Sequence, residues 1–232
     1  MMLLQLTRKQ MAKLLVSLKG DYSSPLQVLK EAIDLNIDER NLPPFLKKFE
    51  RKRKVNEIGL STNEIVLLAN LCELTFLKST SVQNWIKRDV KELIGPPELG
   101  KKYSIEQVAI LLIVRDLKAV FDFETIRKIL TVVFNTLSDR SDDLISPIIF
   151  YETYSSVLEE MDPVGDFSIY GQTLEEQVML TIDRFQHRFC ALQTCEWIEI
   201  KYILTITVLA VLSSHIQRKA QQLFQINYNE RG

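Results

Sequence analysis

The chain has 232 residues, 46% hydrophobic and 25% charged, an ordinary globular composition for one large or two small domains. Its formal net charge is −1, which excludes a uniformly basic nucleic-acid binder and leaves any such reading to local charge. Three cysteines (Cys72, Cys190 and Cys195) are too few and too scattered for a disulfide framework.

Seven glycines and seven prolines, with helical spacing of the apolar residues, point to an all-α chain. Residues 1–18 place Leu4, Met11, Leu14, Leu15 and Leu18 on one helix face. Thr7-Arg-Lys-Gln interrupts the apolar start, so no secretory signal is expected and the cytoplasm is the expected compartment. Ser24 before Pro25 opens a second helix to about residue 35, because Pro suits the first helical position and Ser caps free N–H groups. Asn41-Leu-Pro-Pro stops it. Residues 47–54 then hold six basic side chains against one acidic. Such a cluster either displaces counterions from DNA phosphates or forms a solvated helix end or linker.

Ser61-Thr-Asn-Glu64 is a capping box, and Ile65, Leu68 and Leu71 or Cys72 give the helix after it an apolar side. A turn is expected over 75–78, and a second helix over 79–90 with Val82, Trp85 and Ile86 facing inward. Lys78, Ser79 and Thr80 stand at its start, while Ser81, Gln83, Asn84, Lys87 and Arg88 occupy the outer face. Amide side chains can pair with base edges, Lys and Arg hold phosphates, and a helix N-terminus favours an anion. Gly95-Pro-Pro-Glu-Leu-Gly100 cannot be helical throughout and makes a compact loop, followed by Lys101, Lys102 and Tyr103. Six basic residues meet three acidic ones over 78–102. The same pattern also fits a helical hairpin with a solvated polar face.

Ser104-Ile-Glu-Gln107 is another capping box, and the next helix is apolar almost all round, as a central core helix should be. Asp122 caps a helix over 123–137 with Ile126, Ile129, Leu130 and Val133 inward.

Residues 61–135 resemble the MerR-type winged helix-turn-helix. The matching residues are Trp85-Ile-Lys-Arg88, Pro96-Pro97, Lys102-Tyr103-Ser104 and the segment Phe123-Glu-Thr-Ile-Arg-Lys-Ile-Leu130. The stretch also resembles an uncharacterised bacterial family with the same domain followed by more helices. The resemblance implies DNA-backbone contacts at Gln83, Asn84, Lys101, Lys102 and Tyr103. It departs at Phe76, where a turn glycine is usual, at Gln83-Asn84, where an Arg-Tyr pair is usual, and in a long segment over 89–94.

The C-terminal half is acidic, with 13 acidic and three basic residues over 139–199. A helix is expected over 147–160, and Thr173-Leu-Glu-Glu176 caps the last helical region. Leu174, Val178, Ile182, Phe185, Phe189 and Leu192 recur at steps of four and three, like a packing seam. Beyond Cys195 the chain is apolar on every side through Leu212, which calls for burial in this domain or against a second subunit. The run over 202–216 is too short for a membrane span. His187, Cys190 and Cys195 make poor ligand geometry on one straight helix, since Cys195 lies roughly 140° round from Cys190. They read as packed cysteines with a surface histidine, and no metal or cofactor is expected. No phosphate loop, zinc-finger spacing or nucleophile elbow appears, so no enzyme is expected.

The resulting expectation is an all-α protein: N-terminal helices with a basic segment (1–54), a MerR-like winged helix-turn-helix (55–137) and a C-terminal helical dimerisation region (138–232). Its expected function is sequence-specific double-stranded DNA binding in transcription regulation, as a homodimer, with an effector or protein partner left open. The alternative is a helical adaptor that keeps the fold without DNA binding. The candidate DNA-binding residues are Lys78, Ser79, Thr80, Ser81, Gln83, Asn84, Lys87, Arg88, Lys101, Lys102 and Tyr103.

Overall fold

Most of the described helices start where the sequence supplies a side chain for their free N–H groups. The computed structural model describes residues 5–20, 24–33, 43–46, 49, 59–134, 143–161 and 173–229. Capping boxes pair Thr7 with Gln10, Ser61 with Glu64, Ser104 with Gln107 and Thr173 with Glu176. They open α1 (Arg8–Lys19), α3 (Thr62–Ala69), α6 (Ile105–Lys118) and α9 (Leu174–Asp183). Asp122 caps α7 (Phe123–Val133), and Ser146 with Pro147 at the first position opens α8 (Pro147–Glu160). The remaining helices are α2 (Pro25–Ile33), α4 (Ser79–Asn84), the four-residue α5 (Lys91–Ile94) and the 36-residue α10 (Thr194–Asn229).

The fold is all-α: the described residues hold no strand, only isolated bridges. The helix from Arg8 begins later than an apolar start would suggest. Thr7 ends the extended segment, and Leu6 bridges to Cys72 instead of joining the helix.

α6 is the centre of the core. Its residues from Val108 to Val114 are all buried, because an apolar surface all round leaves no face for water. It packs against α1, α8 and α10. α8 completes the core with edge-on aromatic contacts between Phe134 and Phe150, Phe150 and Tyr154, and Tyr151 and Tyr154.

The spacing over 174–192 is not one continuous seam. α9 ends at Asp183, a 3₁₀ turn spans Gln186–Phe189, and α10 then starts at Thr194. A 3₁₀ turn also repeats every three residues, so its side chains keep the four-and-three pattern. Val178, Ile182, Phe185 and Phe189 are buried within the chain. Cys72 is buried, but Cys190 and Cys195 are exposed, which corrects the expectation that the latter two are packed. No helix of the described residues is long and apolar enough to cross a membrane. The basic run over 47–54 lies outside the described residues, apart from the buried Phe49.

Candidate nucleic-acid interface

The expected polar helix is present, but it changes pitch midway. α4 is α-helical from Ser79 to Asn84 and becomes a π-helical turn over Trp85–Asp89. The Val90 amide accordingly donates to the Trp85 carbonyl at 2.9 Å, five residues back. α5 follows directly, which accounts for the long segment before the loop.

The inner face is fixed by packing. Val82 and Ile86 are buried, and the half-buried Trp85 ring meets Phe123 edge-on at 5.8 Å. Arg127 of α7 donates to the Asp89 carbonyl at 2.7 Å, satisfying the end of the π turn. The outer face carries Thr80, Gln83, Asn84, Lys87 and Arg88, all exposed, with Lys78 exposed just before it. Ser79 and Ser81 are half-buried, and the Ser79 hydroxyl donates to Asn63 at 3.3 Å. α4 has no side-chain cap hydrogen bond at its start.

The turn before α4 is held by an amide clasp. Asn70 donates from Nδ2 to the Leu77 carbonyl at 3.0 Å, and its Oδ1 accepts from the Leu77 amide at 2.7 Å. The left-handed residue of the turn is Leu74, with φ 56°, rather than Phe76. Phe76 lies between that residue and the start of α4 and is 80% exposed.

Beneath the turn sits a buried charged node. Asp116 of α6 accepts from Arg8 Nε at 3.1 Å, Arg8 Nη2 at 2.9 Å, Arg115 Nη2 at 2.7 Å and the Tyr154 hydroxyl at 2.8 Å. Burial pushes its carboxyl up, but Arg115 and Arg8 outweigh that and hold it at about 2. Both arginines reach on to the turn: Arg8 Nη1 to Glu73 at 3.3 Å, and Arg115 Nη1 to Thr75 at 2.9 Å. Arg8 Nη1 also lies 2.9 Å from His215 Nε2 on α10. An arginine only donates, so that nitrogen accepts and His215 is neutral there. Leu6 adds backbone bonds to the same segment, donating to the Leu71 carbonyl and accepting from the Glu73 amide.

The loop after α5 is equally determined by its neighbours. Gln107, fully buried on α6, donates to the carbonyls of Ile94 and Pro96, both at 2.7 Å, and accepts from the Ser104 and Glu98 amides. Leu99 and Lys102 bridge around a tip where Gly100 has φ 69°. The Leu60 amide donates to the Tyr103 carbonyl at 2.8 Å, and the Tyr103 amide returns the bond to Leu60 at 2.9 Å. Of the three loop residues expected to contact DNA, Lys101 is exposed. Lys102 donates to Glu64 at 3.1 Å, and Tyr103 is buried. Tyr103 is therefore a core residue here, not a surface contact, and burial pushes its phenol pKa up. Burial raises the Glu64 carboxyl, but the Ser61 amide and Lys102 outweigh it and bring it below its ordinary value.

In the sequence Gln107 stands out only as part of the Ser104 capping box, and no site role is expected of Asn70, Arg8, Arg115 or Asp116. The signal for the last pair was available: Arg115 and Asp116 interrupt an otherwise apolar helix, and a buried charge requires partners.

A family model described as a domain of unknown function, DUF1836, matches residues 50–154. The chain is 50% identical to a protein of Bacillus subtilis (strain 168), "Uncharacterized protein YkrK", over 228 residues, 96% of this chain and 98% of the relative. No solved structure matches. These findings correct the MerR-type assignment, since the matching family is a different one and the relative aligns along nearly the whole length. The residues that suggested it serve local folding. Trp85 packs on Phe123, Lys102 pairs with Glu64, Tyr103 is buried and Ser104 caps α6. Such roles recur wherever a helix, turn, helix and loop follow one another.

Proposed function

The chain belongs to the same protein family as YkrK of Bacillus subtilis, and we propose that it is a double-stranded DNA-binding transcriptional regulator without catalytic activity. The observation that carries this reading is the outer face of α4 and its π turn. Gln83, Asn84, Lys87 and Arg88 are exposed together, on an element whose inner face is buried and whose two ends are clasped. Amides are the side chains that read base edges, and Lys and Arg are those that hold phosphates. A rigid mount keeps the four in register, as selective contact requires.

In this reading α3, the turn and α4 act as a helix-turn-helix, and the loop around Gly100 lies along the DNA backbone through Lys101. Lys102 joins it by exchanging Glu64 for phosphate. The protein acts in the cytoplasm as a dimer on paired half-sites. The exposed Phe76 favours a second reading, in which the same turn docks a protein partner and the protein is an adaptor.

The test is binding to random-sequence duplex DNA across a salt series, comparing wild type with Lys87→Glu/Arg88→Glu. A steep negative salt slope for the wild type, lost in the double variant, supports the proposal. No binding by the wild type at low salt sinks it and directs attention to protein partners of Phe76.

A further inference from the structure

The far end of α10 carries an apolar face that the core does not use. Leu204, Val208 and Leu212 form one row at steps of four and are 0%, 0% and 3% exposed. The next member of the row, Ile216, is 55% exposed. Ala220 follows at the same step, and Leu223, 52% exposed, falls on the same side of the helix. Residues 216–226 extend roughly 16 Å past His215, where α10 still meets Arg8, at the usual rise.

Beside this ridge is a groove of about 570 Å³. One wall is α10 itself, and the other is the turn residues Glu73 and Leu74. Ridge and groove thus lie on one patch. The patch also carries both signs of charge, Glu73 on the turn and Arg218 with Lys219 on the helix. A two-fold axis places one copy's ridge in the other's groove and one copy's cations towards the other's carboxylate, and an isologous interface requires such self-complementarity.

We propose that the occupant of this groove is a second copy of the chain, and that residues 213–226 of α10 with the turn at Glu73 and Leu74 form a two-fold dimer interface. The interface then clamps the turn that leads into α4. Glu73 lies at once in the groove wall and in the Arg8 and His215 network, so seating of the partner helix braces the start of the candidate DNA-reading element. This deepens the DNA-binding reading by supplying the two copies that paired half-sites need. The experiment below involves no DNA: a monomeric wild type removes the interface and the dimeric form of the DNA-binding reading, while DNA binding itself stands or falls by the salt series.

The experiment is sedimentation velocity of the full chain from about 1 to about 100 µM, well across the range of specific dimers. The wild type should sediment as twice the 26.9 kDa chain mass at the upper end. Ile216→Glu/Leu223→Glu should remain monomeric throughout with an unchanged circular dichroism spectrum, since both positions are already more than half exposed. Gln225→Glu, exposed and about 180° round the helix from Ile216, should dimerise as the wild type does. A wild type monomeric up to the highest concentration overturns the proposal, whatever small molecule or other protein the groove then proves to hold. A double variant that still dimerises overturns it as well.

Discussion

Arg8 and Asp116 lie 108 residues apart in sequence and meet through two hydrogen bonds, Nε to Oδ2 at 3.1 Å and Nη2 to Oδ1 at 2.9 Å. Both side chains are buried, so neither charge is stabilised by water. The pair ties the start of α1 to the last turn of the core helix and to the turn before α4, Arg8 directly through Glu73 and Asp116 by way of Arg115 and Thr75. The candidate DNA-reading element is thus mounted on the core by a charged node rather than by packing alone.

Asp116→Asn should be severely destabilising, by about 3–5 kcal/mol, because it leaves Arg115 buried with no counter-charge and Arg8 with Glu73 alone. Chemical denaturation of the variant measures this. A loss below about 1 kcal/mol would mean that water reaches the node.

Acid should act on the same carboxylate. Asp116 is held at about 2, against an ordinary value of 3.8. A lowered carboxylate contributes stability above its unfolded value and loses it as pH falls through the folded one. That contribution should therefore disappear between about pH 4 and pH 2. Urea midpoints across this window should fall in the wild type, and an unchanged midpoint would contradict the assignment.

His215 titrates in a milder range. Its pKa is lowered by burial and then by the neighbouring Arg8, while Glu73 and Asp116 act in the opposite direction. The folded chain then binds fewer protons than the unfolded one below the ordinary value of 6.5. Stability should be full above that value and decline as pH falls below it. His215→Gln should flatten the melting temperature against pH between about 7.5 and 5.5. If wild type and variant show the same slope there, another group is responsible.

Tyr151 and Tyr154 are both fully buried, yet their hydroxyls differ. Tyr154 donates to Asp116 at 2.8 Å, whereas the Tyr151 hydroxyl has no hydrogen-bond partner among the described residues. Tyr154→Phe should cost about 1–3 kcal/mol, as for a lost bond to a charged group. Tyr151→Phe should be neutral or stabilising, because it removes a buried polar atom with nothing to bond. The opposite order of melting temperatures would show that the two roles are misassigned.

Gly59→Ala probes the loop that carries Lys101. A Cβ at Gly59 would stand 2.8 Å from both the Lys102 Cβ and the Tyr103 carbonyl oxygen, and the second of these is backbone. The Leu60–Tyr103 bridge must then open. The expected result is a lower melting temperature with faster exchange of the Leu60 and Tyr103 amides. Wild-type exchange at both amides would refute the close approach.

Three capping boxes show how far the sequence alone reached. Ser61, Ser104 and Thr173 each start a helix through contacts within four residues, and a box of that kind is complete in the local chain. The fourth, at Thr7, is hidden by the apolar residues before it, which read as part of the same helix. The inward set Val82, Trp85 and Ile86, the burial of α6, and the polar face of Gln83, Asn84, Lys87 and Arg88 follow from spacing for the same reason. What spacing could not decide was which neighbour each side chain would meet. Tyr103 reads as a surface contact until Leu60 pairs with its backbone, and Lys102 as free until Glu64 approaches. The π turn depends on Trp85 finding Phe123 and on Arg127 reaching the Asp89 carbonyl. The Asp116 node needs Arg8 and Tyr154, one from each side in sequence. Local rules determined where helices begin and which face they bury, because those free energies are set within one or two turns. Only the tertiary structure decided which charges are paired, because desolvation and Coulomb attraction depend on distance in space and not along the chain.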